Sequence, residues 1–299
     1  MIPVIYALLP IFALIGLGLW LRKSGLAPEE HWVSVEQISY WLLFPALLIT
    51  TLAKADVPAG VAGAMALVLV ITMSIMTIGV LMLRGPMARR WRVGGAAFTS
   101  VFQGSVRWHG FIALAVALNL YGEAGVALVA VALAALAPLA NGVAVVVLAR
   151  YGAAGAEASW GRIFKMIAQN PLIWGCIIGV ALNVTNTNLW EPLATLLDLL
   201  GRSALGVGML AIGAALRIRA AREAGAAALL TMFLKLIVAP ALCLAIGLAV
   251  GLTGTALVVA VICSAVPSAM NGFLLARKMG GDAPLYAAAV TLQTGAALI

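Results

Sequence analysis

Apolar runs of about 20 residues recur along the whole of this 299-residue chain. A run of that length spans the hydrocarbon core of a bilayer as a helix, because lipid offers backbone N–H and C=O groups no partner outside their own segment. Ten such runs are expected as spans, at 2–21, 33–53, 58–83, 93–120, 124–149, 163–182, 193–216, 224–250, 254–276 and 283–299. The fold class is therefore an all-α membrane protein of ten transmembrane helices. Composition agrees: 64% of residues are apolar and 9% charged, against about half and a quarter in soluble domains. A water-soluble enzyme, a disordered chain and a nucleic-acid binder are excluded. The first run has no basic residue before it and Arg22 and Lys23 after it, so it reads as a span and not as a cleaved leader.

The net charge of +8 would suggest an acidic partner were the basic residues on one face. Instead they lie between runs, in alternate loops: Arg22 and Lys23; Arg84, Arg89, Arg90 and Arg92; Arg150, Arg162 and Lys165; Arg217, Arg219 and Arg222; Arg277 and Lys278. The opposite loops hold Lys54 alone, and Arg107, Arg202 and Lys235 lie within runs. Basic loops stay in the cytoplasm, which places both termini on the extracytoplasmic side of a bacterial inner membrane.

Ten spans divide into a repeat over 1–150, a cytoplasmic linker over 151–161 and a second repeat over 162–299. Five spans per half force the halves into opposite orientations. His109-Gly110-Phe111 in the fourth span has a counterpart in Asn271-Gly272-Phe273 in the ninth. Inverted repeats with interrupted helices at matching places point to a secondary transporter's midplane site.

The chain resembles the auxin efflux carrier family, whose plant relatives are the PIN-type exporters. The resemblance is carried by "NPLIWGCIIGVALN" from Asn170, "LGVGMLAIGAALR" from Leu205 and "PSAMNGFLLARKMGGDAPLYAAAVTLQTG" from Pro267. It implies the inverted-repeat fold shared with bile-acid and sodium/proton carriers, with broken fourth and ninth helices crossing at the membrane centre. Spans 1, 2, 6 and 7 would form a scaffold, spans 3–5 and 8–10 a moving transport domain, and two copies a homodimer. One departure stands out: no Pro lies between Pro86 and Pro138, and His109 takes the place where the family commonly carries Asn. Gly104 and Gly110 would have to loosen the fourth span.

In the ninth span Pro267 removes one backbone bond, leaving Ser268, Asn271 and Gly272 to begin a second half-helix whose N-terminus favours an anion. Asn271 adds an amide donor; the alternative is a Pro kink with Asn271 bonded to a neighbouring helix. Arg107 lies fifteen residues past Arg92, about 22 Å along a helix, where an Arg costs roughly 2.5–3.5 kcal/mol without a partner or a wet cavity. It caps the first half-helix, contacts an anion, or does both. His109, the imidazole within a span, is a substrate donor or proton carrier, or else plain hydrogen-bonded structure. Asp198 and Arg202 stand four apart and read as a structural ion pair, with Asp198 a second candidate proton carrier. Lys235 either contacts backbone carbonyls or takes the place of a coupling cation. Three basic residues against one acid within spans favour an anion as cargo.

The expected function is secondary active transport of a small organic anion of the carboxylate class, by an elevator-type mechanism, with H+ or Na+ as candidate coupling ion. The alternative is a cation/proton antiporter on the same fold, which usually wants paired carboxylates at the crossing. No Walker loop, catalytic motif, CxxC pair or metal-ligand set occurs, so neither an enzyme nor any cofactor or metal is expected.

Overall fold

The computed structural model describes residues 2–153, 161, 165, 168–222 and 225–297, with side chains from residue 9 onward. The greater part of the expected linker, 154–160, lies outside the described residues, as do Arg162, the opening of the sixth run and residues 298–299. Among the described residues the chain is all-helical, with no strand. In chain order the helices are α1 (Ile2–Lys23), α2 (Glu29–Ala53), α3 (Ala59–Met82), α4 (Arg84–Arg90), α5 (Gly95–Val106) and α6 (Gly110–Tyr151). There follow α7 (Pro171–Val184), α8 (Glu191–Ala215), α9 (Ile218–Arg222), α10 (Ala226–Val250), α11 (Gly254–Ala265), α12 (Asn271–Met279) and α13 (Ala283–Ala296). Among the described residues five segments are long and apolar enough to cross a membrane: Glu29–Ala53, Ala59–Arg90, Gly95–Tyr151, Glu191–Ala215 and Ala226–Val250.

Local chemistry explains the irregular points. Pro45 and Pro240 have no N–H for the carbonyls of Trp41 and Leu236, and each is preceded by one π-helical turn, Ser39–Leu43 and Leu234–Val238, that absorbs the missing bond. Gly122 breaks α6 into two legs with φ 60° and ψ −149°, a conformation essentially confined to glycine. Pro171 opens α7, and the Asn170 side chain caps it by accepting from the Leu172 N–H at 3.0 Å.

The chain divides into two compact units. The first contains Met1–Ala62, Gly110–Ala134 and Ile167–Ala215. Here α1 and α8 approach closely because both carry glycine at the contact: a Cβ on Gly213 would overlap the Ile15 carbonyl, and one on Gly18 the Leu210 carbonyl. Small residues at such contacts let dispersion forces hold helices together in lipid. Exposed carbonyls at helix ends are met by side chains. Arg22 donates to Ala214 at the end of α8 (2.5 Å), and Asn183 Nδ2 donates to Ala53 and Ala55 at the end of α2 (3.1 and 2.9 Å). Phe44 stacks on Phe111 with centroids 3.5 Å apart.

The second unit contains Gly63–His109, Ala135–Met166 and Leu216–Ile299. Its centre is α13, buried at Tyr286, along Ala287–Val290 and at Gln293 and Thr294, and packed by α5, α9, α10 and α12. Asp282 caps α13 through the Leu285 N–H (3.0 Å), and its own carbonyl accepts from Ser100 Oγ of α5 (2.7 Å).

Candidate functional site

Two helices of the second unit are interrupted. The first stops at Val106; Arg107 (φ −70°, ψ 162°) and His109 (φ −102°, ψ 90°) are extended, and α6 starts at Gly110. The second stops at Ala265, Val266 is extended (φ −61°, ψ 148°), and α12 starts at Asn271. Pro267 accounts for the second: it supplies no N–H to the Cys263 carbonyl and biases Val266 away from helix.

The first interruption has no proline, and Gly104 does not cause it, since Gly104 lies inside α5. Its role differs from the loosening expected of it. A Cβ there would run into the Thr231 side chain of α10, so the glycine admits a close contact. Its carbonyl would bond the Trp108 N–H in an unbroken helix. Instead it accepts from Ser268 Oγ at 2.6 Å and from Gln293 Nε2 at 2.8 Å. Ser268 Oγ also reaches the Arg107 carbonyl at 3.1 Å, and the Ser268 N–H donates to Gln293 Oε1 at 2.9 Å. Ser268 and Gln293 are fully buried. Side chains thus supply what the interrupted ladders lost.

Arg107 is 6% exposed. Its Nη2 donates to Asn141 Oδ1 at 2.9 Å and to Asn271 Oδ1 at 3.0 Å. Neutral amides leave the guanidinium charge in place, and an amide whose oxygen faces the arginine keeps its N–H groups to donate elsewhere. The guanidinium thus meets the amides of Asn141 and Asn271 at the N-terminal end of α12. Chemically, this arrangement suits a carboxylate. Tyr286 braces the segment: its hydroxyl donates to the Ala269 carbonyl at 2.6 Å, and its ring lies where a Cβ on Gly272 would fall.

The other expected residues are distributed around this cluster or away from it. His109 is buried at the end of the first interruption, and Gly110 opens α6 in the first unit. Lys235 is 3% exposed, in the π turn of α10. It lines a cavity of ≈ 20 Å³, room for about one water, with Thr72, Ser105, Trp108, Cys263 and Ser264. Asp198 and Arg202 form their ion pair at 2.8 Å in the first unit, with side chains 45% and 78% exposed. The free thiols of Cys176, Cys243 and Cys263 are buried, and the described residues hold no group of three or more His, Cys, Asp or Glu placed to bind a metal.

Sequence reasoning missed Asn141, Tyr286 and Gln293. The available signal was the need of Arg107 and of two broken ladders for polar partners, which these residues, set in apolar runs, supply.

Gln103, fully buried one turn before Arg107, has no hydrogen-bond partner for either amide atom among the described residues. A buried polar atom left in that state costs about 1–3 kcal/mol. Gln103→Leu is therefore expected to raise the melting temperature of the purified protein; a fall would show that the amide is engaged.

Residues 157–299 match the family model for membrane transport proteins, the auxin efflux carrier family domain. No curated protein matches the chain.

Proposed function

We propose, from the premise of a membrane transport domain over residues 157–299, that this chain is a secondary active carrier of a small organic anion of the carboxylate class. The observation that carries the reading is the Arg107 Nη2 shared by the amide oxygens of Asn141 and Asn271. It concentrates positive charge and amide donors where two helices are interrupted. A lone cation receptor would want oxygen ligands there, and the oxygens of both amides are directed at the arginine instead.

The ten-span inverted repeat and the elevator movement belong to the same proposal. In support, α1, α2, α7 and α8 fall in one compact unit and both interruptions in the other. The first unit also takes residues 110–134, so the scaffold would include more chain than spans 1, 2, 6 and 7. His109 and Lys235 are the coupling candidates within the unit that holds the interruptions; Asp198, already paired with Arg202, is the weaker one. Both termini would be extracytoplasmic in a bacterial inner membrane, and two copies would pair.

The test is thermal stabilisation of the purified protein by benzoate, succinate and indole-3-acetate, each beside its uncharged amide, at two pH values. At least one carboxylate is expected to raise the melting temperature while its amide does not, since a ligand stabilises the state it binds. Stabilisation by Na+ alone, with Na+-driven proton flux in liposomes and no carboxylate effect, would replace this reading with cation/proton exchange.

A further inference from the structure

Gln293 stands in the last helix, outside both interruptions, yet one end of its amide completes each of them. Nε2 donates to the Gly104 carbonyl at 2.8 Å, the acceptor orphaned by the first break. Oε1 accepts from the Ser268 N–H at 2.9 Å, a donor orphaned by the second. Nε2 also lies 3.4 Å from the Thr231 carbonyl of α10. Gly104 is three residues before Arg107 and Ser268 three before Asn271, so the tie at 104 and 268 lies three residues back along both segments from the pair that meets at 3.0 Å. Only a side chain with both a donor and an acceptor at its tip makes both bonds. Glutamate keeps the acceptor but sets a second oxygen against the Gly104 carbonyl, and methionine offers neither.

We infer that Gln293 is a positioning residue that latches the two interrupted helices together and thereby sets the distance between Arg107 and Asn271. The latch follows from hydrogen bonding alone; its bearing on anion recognition rests on the function proposed above. It acts through the backbone at Gly104 and Ser268 and does not require contact with the anion.

The experiment has two arms. In hydrogen–deuterium exchange of the detergent-purified protein, Gln293→Met is expected to speed exchange at both 107–109 and 266–270. The rise should be about tenfold, the equivalent of one buried hydrogen bond, with α1 and α8 unchanged. Acceleration at 266–270 alone, or evenly through the second unit, overturns the latch. Ser268→Ala, which keeps the amide and removes one of two donors to Gly104, is expected to give a smaller rise at both segments. It decides the question if Gln293→Met does not fold, and no rise at 107–109 then overturns the proposal. In the second arm, binding of whichever carboxylate stabilises the wild type is measured in Gln293→Met, Asn271→Ala and the double variant. The double variant is expected to bind no more weakly than Asn271→Ala, because the latch works through that residue; additive losses overturn the positioning role. If no carboxylate binds the wild type, the proposed function fails while the exchange arm still decides the latch.

Discussion

Arg107→Gln is expected to reduce carboxylate uptake into proteoliposomes by about a hundredfold or more, with the protein still folded. The guanidinium is 6% exposed and its Nη2 is shared by two amide oxygens. Removing a buried charge that meets an opposite charge costs about 2–5 kcal/mol of binding, and every 1.4 kcal/mol is tenfold. Stability should hold or rise, because the variant no longer buries a cation deep in the second unit. Arg107→Lys is expected to be intermediate: the charge survives, but a lysine lacks the planar fork. Undiminished uptake by Arg107→Gln would remove the anion site from this cluster. A loss accompanied by a large fall in melting temperature would show that the arginine's role is structural.

Gly213→Leu should be the most damaging single change in the first unit. A Cβ on Gly213 falls on the Ile15 carbonyl, while one at Gly206 of the same helix meets nothing within 4 Å. Leucine at 213 must therefore push α1 and α8 apart, losing their packing and straining the bond from Arg22 to the Ala214 carbonyl (2.5 Å). The expected loss exceeds about 4 kcal/mol, a size reserved for a few mechanisms of which overpacking is one. Size-exclusion profiles should show aggregated Gly213→Leu and a wild-type-like Gly206→Leu. Equal behaviour of the two would mean that the contact is far softer than its geometry indicates.

The helices themselves were legible because lipid imposes a long apolar run on anything that crosses it, and α3 at Ala59–Met82 falls almost on the run read at 58–83. Pro267 announced the second interruption for an equally direct reason, the missing N–H. The first was harder. Nothing near residue 107 forbids a helix, and the chain departs from one where Ser268 and Gln293, more than 160 residues on, offer its carbonyls other partners. Long-range substitution of that kind leaves no local trace, which is why Gly104 was read as a loosened point when it is a packed one. Asn141 was invisible for a similar reason: a lone amide in an apolar run acquires meaning only beside the guanidinium it receives. The π turns before Pro45 and Pro240, by contrast, follow from prolines plain in the sequence.

Trp108 occupies the middle of the first interruption, is 7% exposed and lines the small cavity beside Lys235. Trp20, Trp41, Trp91, Trp174 and Trp190 are all more than 40% exposed. A buried indole and several exposed ones differ in emission wavelength and in their access to quenchers dissolved in water or carried on acyl chains. Trp32 in α2 is buried as well, at 8%, so the signal of the interruption is the blue-shifted share that Trp108→Phe removes, and it can be followed without any label while the surrounding backbone rearranges.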